Sequence, residues 1–144
     1  YQHSSDAELY PDNSYRMEIF QSLRPGWELS LSHDHMNFGD NNVDLYGFGL
    51  GHYTGDWYLR ARTLFIPGGG LDYSHSVLAR YYFSGTADDY AEFRFGFSDD
   101  SRSCGLAYQQ YFTPRWGAKI SVSYGDEDQA YIERSVSAGL YTRW

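Results

Sequence analysis

The chain has 144 residues and a formal net charge of −8. That length fits one domain, and the acidic balance excludes DNA, RNA and anionic headgroups as partners held by general electrostatic attraction. Aromatic residues make up 19% of the sequence, which excludes a disordered chain. Cys104 is the single cysteine, so there is no internal disulfide and no CxxC motif. No stretch approaches the roughly 20 consecutive apolar residues of a transmembrane helix. A transmembrane strand needs only about 9–11 residues, and half of them can be polar. Tyr1 is not a translation start, and the sequence is read as a mature, trimmed or partial chain.

Helical periodicity is nearly absent and period-2 alternation recurs. In chain order the alternation predicts strands over Tyr15–Leu23, Trp27–Phe38, Val43–Tyr53, Trp57–Phe65 and Leu71–Phe83. Four more follow, over Tyr90–Phe97, Cys104–Phe112, Trp116–Tyr124 and Tyr131–Trp144. The breaks are RPG, GDNN, TGD, PGGG, SGTADD, SDDSRS, TPR and GDEDQ, all turn chemistry. Residues 1–14 alternate poorly and are read as an N-terminal segment with a partial strand; residues 15–144 form one domain of sequential hairpins.

Alternation separates two faces. One carries Tyr15, Met17, Ile19, Trp27, Leu29, Leu31, Tyr46, Phe48, Leu50 and their counterparts on later strands. The other carries Arg16, Glu18, Glu28, Arg60, Arg62, Arg80, Glu92, Arg94, Lys119, Glu133 and Arg143, with Gly47, Gly49 and Gly51 leaving room for long arginines opposite. A soluble barrel or sandwich would bury the apolar face. An outer-membrane barrel turns it to lipid and lines a narrow lumen with the charges. The aromatics favour the second, with the soluble barrel or sandwich as the alternative. Tyr15, Trp27, Trp57, Phe83, Phe97, Phe112, Trp116 and Trp144 sit near strand ends, as interfacial girdles do. The expected fold is an all-β, antiparallel up-and-down transmembrane barrel.

With the C-terminus in the periplasm, nine strands would start outside. Bacterial barrels usually have an even number, so about ten strands are expected, with Gln2–Leu9 or upstream residues supplying the tenth. Eight or twelve are the counts for other chain boundaries. The final strand, SVSAGLYTRW, is expected to pair with the first. Its Gly139, Leu140 and Trp144 resemble the signal read by barrel-assembly machinery.

The stretch DWYLRARTLFIPGGGLDYSHSVLARYYF at 56–83 resembles the YaiO family of outer-membrane β-barrel proteins. So do YAEFRFGFSDD at 90–100 and the terminal aromatic strand. Arg80-Tyr81-Tyr82-Phe83 and WYLRAR with Arg60 are the most specific pieces. The resemblance implies an outer-membrane location in a Gram-negative bacterium and no established reaction. Some relatives are linked with exported polysaccharide, which makes envelope or polysaccharide-export proteins expected partners beside lipid and the assembly machinery.

Other motifs were weighed against blander roles. His33 and His35 share a strand face about 7 Å apart and form the best metal-like pair, lacking a third ligand. His75-Ser76 invites a hydrolase reading, but neighbours on a strand face opposite ways and no GxSxG elbow is present. The lumen arginines could guide an anionic solute. In a barrel of eight to ten strands they are expected instead to pair with glutamates and fill the interior. PGGG at 67–70, the acidic tip at Asp126-Glu127-Asp128 and Cys104 carry no expected chemistry. A structural or accessory role without cofactor is expected, rather than an enzyme.

Overall fold

A computed structural model describes residues 2–3, 13–38, 41–67, 72–127 and 131–143. Its strands are β1 (Gln2–His3), β2 (Asn13–Arg24), β3 (Trp27–Asn37), β4 (Asn42–Thr54) and β5 (Trp57–Ile66). They continue as β6 (Asp72–Tyr82), β7 (Tyr90–Ser98), β8 (Ser101–Tyr111), β9 (Trp116–Glu127) and β10 (Tyr131–Thr142). All lie in one sheet in sequence order, each antiparallel to its neighbour. Among the described residues there is no helix. The predicted strand ends fall within a few residues of the observed ones, because Gly, Pro, Asp and Asn punctuate the alternation. Gly26 shows why such residues are needed. Its φ is 82°, and an added Cβ would stand 2.8 Å from the Tyr53 carbonyl oxygen. That carbonyl belongs to the next hairpin along the rim, and the Tyr53 N–H donates to the Gly26 carbonyl at 2.7 Å.

The faces are the reverse of those of a water-soluble sheet. Leu31, Phe48, Leu106, Ile120 and Val136 on the outer face are all exposed, Leu106 by 58%. Buried positions are polar or small: Ser30, Ser32, Asp34 and Glu92, with Gly47, Gly49 and Gly51. Tyr58 and Tyr90 are the buried residues with large rings among those described. The sheet curls so that this polar face is concave. Arg60 on β5 bonds Glu18 on β2, three strands away. In a flat sheet that span is about 14 Å, beyond the reach of the two side chains.

The seam differs from the sequence expectation. Among the described residues β10 pairs with β9 alone, and the sheet does not close. β2 and β10 are separated by an even number of reversals and run the same way, so a direct seam would be parallel. β1 has the antiparallel sense, pairing Gln2 with Ser14 and His3 with Asn13. Of the strand expected over Gln2–Leu9, Gln2–His3 is observed as β1; residues 4–12 lie outside the described residues.

Candidate functional site: the inner charge network

Register builds the network. On the inner face Glu18, Ser32, Gly47 and Leu64 form one cross-strand row. Phe20, Ser30, Gly49, Arg62 and Ser76 form the next, and Glu28, Gly51, Arg60, Leu78 and Arg94 the one beyond. The β4 glycines lower the floor between β3 and β5, and the β5 arginines lie across it. A Cβ at Gly49 would meet Arg60 Nε and Nη2 at 3.3 Å, and one at Gly47 would meet Arg62 Nε at 3.2 Å. Arg60 Nη2 donates to Ser30 Oγ at 2.8 Å as well as to Glu18, and Arg62 Nη2 donates to Ser32 Oγ at 2.6 Å. Arg16 and Arg62 both approach Asp34, Arg62 at 3.7 Å. Arg62 Nε is buried and has no acceptor among the described residues.

A second node surrounds Glu92 on β7, whose side chain is 1% exposed. Its Oε2 accepts from Arg80 Nε at 2.7 Å and from Arg80 Nη2, and its Oε1 accepts from Arg94 Nε at 2.5 Å. Arg80 also stacks over the Tyr90 ring at 4.3 Å. Arg16, Arg60, Arg62, Arg80 and Arg94 therefore contact Glu18, Asp34 and Glu92, and Glu28 on the same face brings the set to within one charge of neutral. Near-neutrality is what a low-dielectric interior requires of buried charges.

Several residues of the expected network stand elsewhere. Glu28 meets no arginine; it accepts from the Tyr58 hydroxyl at 2.5 Å. Lys119 Nζ lies 5.9 Å from the Tyr90 ring centre. Glu133, opposite Gly125 on the inner face, makes no ion pair among the described residues. Arg143 lies beyond β10 at the rim, paired with Asp88 and over the Tyr111 ring at 4.0 Å. Its pKa is raised by the Tyr111 hydrogen bond and then by Asp88. Beside it Asp89 accepts the Tyr111 N–H at 2.6 Å, which with Ser84 holds its carboxyl below the usual carboxylate range. Asp34, Tyr58 and Tyr90 belong to the network and were missed. Parity alone could have placed Asp34 with Ser30 and Ser32. On β8–β10 the inner face changes to small residues, where Ser121 bonds Ser137 and Ser123 bonds Ser135, each at 2.6 Å.

The girdle residues occupy both rims. Trp27, Trp57 and Trp116 open β3, β5 and β9, and Phe83 and Phe112 follow β6 and β8, all at one rim. Tyr15 and Phe97 lie toward the other. Trp27 stacks on His52 at 4.2 Å. Gly139 faces inward opposite Lys119, and Leu140 faces outward opposite Ala118. Trp144, Gly68–Gly70 and Asp128 lie outside the described residues.

The remaining candidates are on the outer face. His33 Nε2 and His35 Nδ1 both contact Asp44 Oδ1, at 2.8 and 2.9 Å. His75 Nδ1 bonds Thr63 Oγ1 at 3.0 Å, while Ser76 faces inward opposite Arg62 and Gly96, so no serine–histidine pair forms there.

A curled up-and-down sheet with an apolar exterior and an ion-paired interior is the design of a membrane β-barrel. The chain belongs to the YaiO family: the family model described as the YaiO membrane beta barrel domain matches residues 1–101. No curated protein and no solved structure matches the chain. It is an outer-membrane β-barrel protein.

Proposed function

We propose that this barrel is a structural or accessory component of the cell envelope of a Gram-negative bacterium, with its interior filled rather than open. The Glu92 node carries the reading: a buried carboxylate two residues in from the start of β7 holds two arginines on the inner face. The two aromatic rims fit the two lipid interfaces, with outer-membrane lipid as the principal partner. Gly139, Leu140 and the terminal Trp144 serve the barrel-assembly machinery, and envelope or polysaccharide-export proteins are the further partners. Planar-bilayer recording tests the filled interior. Purified protein inserted at a density confirmed by labelling gives no stepwise conductance; discrete steps from the unaltered protein overturn the reading.

A narrow passage is the second reading, and one observation favours it. The inner face of β8 and β9 carries Gly105, Ala107, Ser121 and Ser123 beside a cavity of about 240 Å³ flanked by Arg94 and Lys119. Anion-selective steps abolished by Arg94→Ala and Lys119→Ala would establish it.

A further inference from the structure

The outer face of the β3–β4 hairpin holds a group of side chains out of keeping with its surroundings. Register sets His35 opposite Asp44 and His33 opposite Tyr46. Two imidazoles thereby meet one carboxylate oxygen, His33 through Nε2 at 2.8 Å and His35 through Nδ1 at 2.9 Å. Aromatic rings fix both imidazoles. Tyr46 stacks on His33 with centroids 4.8 Å apart, and Tyr15 stacks on His35 at 5.1 Å. The three side chains are each partly exposed, at 26%, 25% and 39%, and His35 and Asp44 lie two residues from the strand ends, at the rim where an ion from solution can reach them. Near them on the outer face are Met17, Leu31 and Phe48. A carboxylate there is costly unless something neutralises it.

We propose that His33 Nε2, His35 Nδ1 and Asp44 Oδ1 form a binding site for a divalent first-row transition metal, of which Zn²⁺ is the representative. Two imidazoles and a carboxylate with the remaining position open is a donor set suited to such ions. As they stand the donors hydrogen-bond to one another, and no cage of three ligands is preformed among the described residues. Two of the three donor separations are already close to those about a bound ion. Donors bound at about 2.0–2.1 Å lie roughly 2.9–3.4 Å from each other, against the 2.8 and 2.9 Å observed. The ion replaces two N–H···O hydrogen bonds. Each imidazole shifts its proton to the other ring nitrogen, so neutral histidine binds without net proton release. Tyr15 and Tyr46 act as walls that keep the rings oriented. The site lies on the apolar exterior and involves none of the inner arginines, so it stands or falls separately from the filled-barrel reading.

The test is Zn²⁺ binding to the detergent-folded protein, measured by calorimetry and by metal content after dialysis. One ion per chain is expected. Asp44→Asn and His35→Ala each weaken binding at least about tenfold, and His52→Ala leaves it unchanged. On the unaltered protein, Zn²⁺ shifts the ring resonances of His33 and His35 while those of His52 and His75 stay fixed. This measurement needs no variant to fold. Absence of stoichiometric binding, ring shifts at His52 or His75 instead, or binding that survives His33→Ala with Asp44→Asn overturns the proposal.

Discussion

Glu92→Gln removes the charge at the most buried carboxylate while keeping its shape. Truncating one partner of a buried ion pair costs about 3–5 kcal/mol, because the other charge is left unmatched. Two features of the site lower that figure. The Arg94 side chain is 61% exposed, so water compensates most of its loss, and its share falls to the surface range of about 0–1 kcal/mol. Arg80 is 25% exposed and keeps the Tyr90 ring, a contact worth about 0.5–2 kcal/mol. The expected loss is about 2–4 kcal/mol, a factor of roughly 30 to 1,000 in the folding equilibrium. Reversible urea unfolding in lipid vesicles, followed by tryptophan fluorescence, reads it directly. Arg94→Met costs less than about 1 kcal/mol. The double variant Glu92→Gln/Arg80→Met recovers part of the loss, since no unmatched charge remains at Arg80. A loss below about 0.5 kcal/mol for Glu92→Gln, or equal losses at Glu92 and Arg94, would refute this account of the node.

Leu106→Arg on the outer face costs about 2–4 kcal/mol in the same assay, while Ser123→Arg on the inner face costs less than about 1 kcal/mol; equal costs would mean the faces are misassigned. Gly49→Val thrusts branched carbon into the path of Arg60 and Ser30 and costs about 1–3 kcal/mol through overpacking, whereas Gly125→Val, whose nearest neighbour to an added Cβ is 3.9 Å away, is tolerated; the comparison is made by folding yield and urea midpoint. Asp89 has its pKa lowered in the fold, so its contribution is complete above the ordinary carboxylate pKa near 4 and disappears as pH falls through the depressed value. Hydrogen exchange at the Tyr111 amide should accelerate over that acid range in the unaltered protein, relative to neighbouring strand amides, and show no such step in Asp89→Asn.

Much of the fold was legible because two local signals agreed. Turn residues marked the ends, and parity along each strand sorted the faces. Gly47, Gly49 and Gly51 could be read as space for arginines because alternation puts them on the same face as Arg60 and Arg62. What escaped the sequence depends on relations across strands. Glu28 was expected to meet an arginine, but the register sets it beside Gly51, where the Tyr58 hydroxyl reaches over. Asp34 stands between His33 and His35 in the sequence, and alternation turns it to the opposite face. Asp44 lies inside a predicted strand and has no assigned role until the β3–β4 register brings it to His33 and His35. The seam is the least local feature of all. It depends on how the two ends of the sheet run, and β1, not β2, has the sense antiparallel to β10.

The central claim is that the apolar face meets lipid and the polar face lines the interior. Site-directed spin labelling along β9 tests it most directly. In a Cys104→Ser background, single cysteines replace Ile120, Ser121, Val122, Ser123 and Tyr124 in turn, and the labelled protein is folded into vesicles. Collision rates with oxygen, which concentrates in lipid, should peak at 120, 122 and 124 and fall at 121 and 123. High accessibility to a water-soluble nickel chelate at 120, 122 and 124, or loss of the two-residue period, would contradict the account.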